Sequence, residues 1–193
     1  MKNLIVLVFI LITKITLAQQ TDTVGLNTPF INGEVAYQKV FNAPNKPGPL
    51  LFSNAQLWFV KHYKTLNSIQ IQDDVVGRVV GKGVELLTFK GMLGINGGYD
   101  VDMTIQIDCK DGRYRTRIFN IVIETEDINK VKTYTNAEHL MNDLLGIKTT
   151  VVAANYNNPL NKNQSKRALQ SLNVLVDNVM GSINQIMNDN DNF

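Results

Sequence analysis

One cysteine, two histidines and a single tryptophan leave little of the chemistry that usually announces an enzyme or a metalloprotein in these 193 residues. Cys109 alone cannot close an internal disulfide, so the fold must stand on packing. A zinc or iron site draws on three or four converging ligands, and His62 and His139 fall on different expected helices without a second ligand at metal spacing. No cofactor is therefore expected. Long apolar runs are also missing: the run from Leu4 to Ile12 reaches only about 14 Å as a helix, under half a bilayer core, which excludes a stable membrane span there. With 44% apolar residues, the chain can still bury roughly 70% of the surface its unfolded form exposes.

That short apolar run has a different reading. Lys2 precedes it, and Thr16-Leu17-Ala18 stands before Gln19, which together predict a signal peptide over 1–18 and a periplasmic or secreted protein. Cleavage removes Lys2 and Lys14 and no acid, so 19 basic side chains fall to the number of the 17 acidic ones. A mature chain of zero net charge argues against a phosphate-tracking surface and against nucleic acid as a partner.

A polar lead-in over 19–33 gives way to alternation from Glu34 to Phe41, the mark of a strand. Three prolines and a glycine between Asn42 and Pro49 stop it. Ser53 with Gln56 reads as a capping box opening a helix from about Asn54 to Lys64, with Leu57, Trp58, Val60 and Tyr63 at helical spacing. Ile69 and Ile71 begin a strand, Asp73-Asp74 turns it, and a second strand runs through Val76 to Gly83 and on to Phe89. Four glycines between Lys90 and Gly98 predict a long connection. Next, Tyr99, Val101, Met103, Ile105, Ile107 and Cys109 alternate with Asp100, Asp102, Thr104, Gln106 and Asp108, one face buried and one wet.

Asp111-Gly112 predicts a two-residue type I′ turn that pairs Lys110 with Arg113 and Asp108 with Arg115. Carried along the return strand, this parity buries Tyr114, Thr116, Ile118 and Val122, and sets Arg115, Arg117, Phe119, Ile121 and Ile123 beside the acidic row. Residues 125–163 read as a polar excursion with a short helical patch ending at Gly146. A long apolar stripe from Leu169 to Met187 predicts a final helix over about Ser165 to Asn188. The order β-α-β-β-β-β-α implies an α+β domain over 34–189: a single curved antiparallel sheet of about five strands with two helices on one face.

Trp58, the run Ile69-Gln70-Ile71-Gln72-Asp73-Asp74, the segment Gly77 to Gly83 (GRVVGKG) and Lys110 to Arg115 (KDGRYR) resemble the domain of unknown function 4468, found in secreted bacterial proteins. The resemblance spans about Glu34 to Glu124 and implies a TATA-binding-protein-like fold of a strand, a helix, four strands and a helix. A fold name of that kind carries no nucleic-acid function with it.

Individual motifs add little chemistry. GRVVGKG is one residue short of a phosphate loop, puts Gly83 where a Ser or Thr belongs, and precedes no helix, so its glycines read as bulge or close-approach positions. Cys109 falls on the buried row with no histidine to activate it. Trp58 and Tyr63 read as core, whereas Phe59 lies on the opposite side of its helix. The expectation is a non-catalytic exported module that binds a protein partner, a second copy or a small ligand through Arg115, Arg117, Phe119, Ile121, Ile123, Asp102 and Asp108. The alternative is a small cell-envelope hydrolase using Asp100, Asp102 or Asp108 and His62, which requires those groups to converge. The outer face is either open, covered by the excursion or paired in a dimer.

Overall fold

The computed structural model describes residues 26–90, 96–126, 130–147 and 160–189. The expected signal peptide and the start of the lead-in lie outside the described residues. The chain then makes a small hairpin of β1 (Phe30–Ile31) and β2 (Glu34–Val35). Its two-residue turn sets Asn32 at φ 54° and Gly33 at φ 81°, the left-handed pair that an Asn-Gly turn supplies.

Six strands form the main sheet: β3 (Tyr37–Asn42), β4 (Ile69–Asp73), β5 (Arg78–Lys90), β6 (Asn96–Lys110), β7 (Arg113–Glu126) and β8 (Lys132–Asn136). Every pairing is antiparallel, in the order β3-β7-β6-β5-β4, with β8 on the same side of β7 as β3 but farther along it. Among the described residues three α-helices complete the fold, α1 (Gly48–Tyr63), α2 (Ala137–Leu145) and α3 (Lys162–Asn188), with a single 3-10 turn over Leu66–Ser68. The α+β class and antiparallel sheet match expectation; the strand and helix counts exceed it, because the excursion supplies β8 and α2. Ala137, Leu140, Met141 and Leu144 of α2 join the same apolar cluster as the sheet. The excursion therefore completes the core. The long connection expected between Lys90 and Gly98 is shorter, because Gly97 and Gly98 belong to β6 and pair with Phe89 and Thr88; residues 91–95 of that stretch lie outside the described residues.

The turn after β6 joins sheet to helix. Only Gly112 takes a positive φ, at 74°, so the turn is not type I′. The Asp111 carboxylate instead accepts a hydrogen bond from the Gly48 N–H at 2.6 Å, satisfying an orphan donor at the start of α1. Backbone bonds from Ala43 N–H to Gly112 O and from Gly112 N–H to Lys46 O fasten the same hairpin to the proline-rich segment. Helix α1 consequently begins at Gly48, six residues before the expected start, with Pro49 tolerated in its first turn. Ser53 is inside the helix, its hydroxyl donating to Pro49 O, and caps nothing. The capping box that does form lies at α3, where Asn161 Oδ1 accepts from Gln164 N–H and Gln164 Oε1 accepts from Asn161 N–H.

Trp58, Ile105, Ile107, Ile118 and Leu172 are buried together between helices and sheet. Helix α3 also supplies polar partners for aromatic groups under it. Trp58 Nε1 donates to Ser182 Oγ at 3.0 Å, Tyr114 Oη to Asn184 Oδ1 at 2.7 Å and Tyr37 Oη to Asn173 Oδ1 at 2.6 Å. Each aromatic thus buries its ring without stranding its donor. Phe59, expected on the other side of α1, is fully buried. A Cβ on Gly81 would stand 2.3 Å from its ring, and one on Gly83 would stand 1.9 Å from Tyr63 Cζ. The glycines of GRVVGKG let α1 lie close on β5, and no phosphate loop is formed.

One sequence expectation fails inside β7. Asp102 pairs with Val122 whereas Thr104 pairs with Phe119, so β7 carries one extra residue at that level. Asn120, at φ 51°, is part of this β-bulge. Every side chain after it changes face: Ile121 and Ile123 are buried in the core, and Val122 turns outward. Both isoleucines are thereby removed from the expected outer site.

Candidate functional site

Helices pack against one face of the sheet. On the other, register sets the side chains in rows across the strands. Arg78, Asp108, Arg115 and Val40 share one row; Val80, Gln106, Arg117 and Gln38 the next. Lys82, Thr104 and Phe119 follow, then Val84, Asp102 and Val122, then Leu86, Asp100, Glu124 and Tyr134. Of the expected site residues, Arg115, Arg117, Phe119, Asp102 and Asp108 lie on this face. Val84, Leu86 and Tyr134, each more than half exposed, and the half-buried Val122 join them. Sequence reasoning missed Val84, Leu86 and Tyr134 because their place depends on cross-strand register, and Val122 because of the bulge.

Charge divides this face lengthwise. At the hairpin end, Asp108 is clamped by Arg78 Nε at 2.6 Å and by Arg115 Nη2 at 2.5 Å, with Gln106 donating at 2.8 Å. Burial opposes ionisation of Asp108, yet the hydrogen bonds from Arg78, Arg115 and Gln106 outweigh it and hold its carboxyl below the usual range. A shallow cavity of about 210 Å³ opens beside this cluster, lined by Val40, Asp108, Lys110, Arg113, Tyr114 and Arg115. Arg117 donates to Glu34 at 2.7 Å and places its guanidinium 4.4 Å from the centre of the Phe119 ring, a cation–π contact. At the far end Asp100, Asp102 and Glu124 give the opposite sign, with Lys132 paired to Glu124. Lys82, Asp100 and Asp102 make no ion pair among the described residues.

The groups of the hydrolase alternative do not converge. Asp108 is bound up with arginines, and Asp102 lies about 20 Å along the strand from it. His62 sits on the helix-covered side, its Nε2 2.7 Å from Glu85 Oε1, with its ring stacked on Trp58 and the Tyr63 hydroxyl donating to the same carboxylate at 2.8 Å. Desolvation and the Glu85 charge push the Tyr63 phenol above its ordinary range, so Tyr63 serves there as a hydrogen-bond donor. Cys109 is buried; burial, with the Asp108 charge adding to it, pushes its thiol up to about 12, the opposite of an activated nucleophile. No group of three or more metal-ligating side chains occurs among the described residues. Two larger grooves, about 910 Å³ beside the start of α1 and about 700 Å³ between β3 and α3, contain no histidine.

No curated protein matches this chain. Two solved structures share its fold. A DUF4468 family protein from Bacteroides ovatus aligns over 90% of this chain and 99% of its own, with a TM-score of 0.62 at 20% identity. A TBP-like protein from Parabacteroides distasonis aligns over 81% of this chain and 97% of its own, with a TM-score of 0.57 at 18% identity. Residues 37–124, from β3 to within two residues of the end of β7, match the family model described as a domain of unknown function (DUF4468) with TBP-like fold. The docked hairpin, the close-approach glycines and the buried tryptophan all fall inside the segment over which the chain matches the DUF4468 family model.

Proposed function

We propose that this chain is an exported, non-catalytic module that binds a protein partner through the outer face of its sheet. The observation that carries the reading is the band of Val84, Leu86, Phe119, Val122 and Tyr134 on the face opposite the helices. Apolar and aromatic side chains in a charged frame are the composition of an interface core with a polar rim. Export rests on the leader of Lys2, the Leu4–Ile12 run and Ala18, and an intact mass beginning at Gln19 in envelope fractions is its check.

The double substitution Phe119→Ser with Val122→Ser tests the binding face. Neither side chain belongs to the core cluster, so stability should change by no more than about 1 kcal/mol. Association, with itself or with a partner captured from cell-envelope extract, should be lost. A cooperative loss of stability beyond about 2 kcal/mol with association unchanged would make the strip a structural element and defeat the reading.

A further inference from the structure

Resting on that reading of the outer face, we infer that its occupant is a second copy of this chain, docked sheet to sheet with its strands antiparallel to the first. A two-fold interface brings one patch against itself, so each feature must meet its complement elsewhere in the same patch. This face is built for that. Between the row of Lys82, Thr104 and Phe119 and the row of Val84, Asp102 and Val122 runs a line across the strands about which the chemistry inverts.

A two-fold axis along that line lays β6 on β6 and β7 on β7. It carries Phe119 over Val122 of the other copy and Arg117 over Glu124. Lys82 comes over Val84, one strand from Asp102, and Gln106 comes over Asp100. The three charges without an ion pair among the described residues, Lys82, Asp100 and Asp102, thus gain partners of opposite sign or hydrogen-bonding capacity. An axis along the strands instead would stack the acidic ends on each other, and so is excluded by repulsion.

Size agrees with a weak contact. Four strand positions about 4.8 Å apart, those of β5, β6, β7 and the shared place of β3 and β8, and the length of β6 from Asp108 to Gly98 at about 3.4 Å per residue, frame about 490 Å² of sheet. That is below the roughly 800 Å² each partner contributes to a standard interface and suits a reversible dimer. Two sheets in such contact make a sandwich about 10 Å thick, helices outermost.

Charge reversal at the axis provides the test. Lys82 and Asp102 are exposed, so Lys82→Glu and Asp102→Lys should fold as the parent does, checked by thermal unfolding. Sedimentation velocity on the purified protein from about 1 to 100 µM should show a reversible dimer that weakens with added salt. Each single variant places like charges together twice and should weaken self-association about tenfold or more. An equimolar mixture of the two restores both opposite-sign contacts and should recover the dimer. Parent protein that stays monomeric throughout overturns the inference. So does a mixture that fails to recover association lost in the single variants. In the monomeric case, a different partner that still requires Phe119 and Val122 leaves the binding face standing, whereas no such requirement removes both.

Discussion

Asp108 and Asp111 stand three residues apart and do different work. Asp108 gathers two arginines and a glutamine on the outer face; Asp111 leaves the sheet to cap a helix. Strand parity and the short turn made the pairing of Asp108 with Arg115 legible in the sequence, but Arg78 entered only through the register of β5, which no local pattern encodes. The role of Asp111 was hidden for a similar reason, since a cap donated across the fold has no sequence spacing. Because the folded-state pKa of Asp108 lies below its unfolded value of about 3.9, its contribution is complete above that pH. It is lost as pH falls through the folded value. Both arginines are over 40% exposed, so the network is worth only about 1 kcal/mol. Asp108→Asn should therefore be less stable by about that amount at pH 7, with the gap closing in acid-unfolding curves below about pH 4. A gap that widens on acidification would contradict the assigned role.

Among the elements, β7 shows how one residue redirects a strand. In the run Ile118-Phe119-Asn120-Ile121-Val122-Ile123 the apolar pattern shifts phase at Asn120, a residue type tolerant of the left-handed region. The shift was present in the sequence, but strict alternation counted from the turn overrode it. The bulge falls between the last pair of β7 with β3, at Ile118, and its first with β8, at Val122. One strand thus serves two neighbours. Ile121→Ala should cost about 2 to 5 kcal/mol in denaturant unfolding, while Phe119→Ala, outside the core cluster, should cost under about 1 kcal/mol. Reversal of that order would restore uninterrupted alternation. Two other signals were equally readable: Asn32-Gly33 is a hairpin turn, and Asn161 with Gln164 is a capping box. Ser53 has a capping residue's type and spacing but lies inside helix α1, which begins at Gly48.

At the scale of the molecule, the alternation of β6 and the stripe of α3 were enough to establish an α+β core with helices on one face. Long periodic elements survive local errors. The polar excursion was misjudged because β8 and α2 are short and gain their stability from β7 and α3 rather than from their own pattern. Its described part completes the core rather than covering the outer face, which leaves Val84, Leu86 and Tyr134 more than half exposed. The proposed binding reading puts this face against another protein surface. Amine labelling of Lys82, on the face, compared with Lys61, exposed on α1, measures it directly. A covered face protects Lys82 relative to Lys61 in intact envelopes and leaves the two equally reactive in dilute purified protein. Equal labelling of the two lysines in both settings would contradict it.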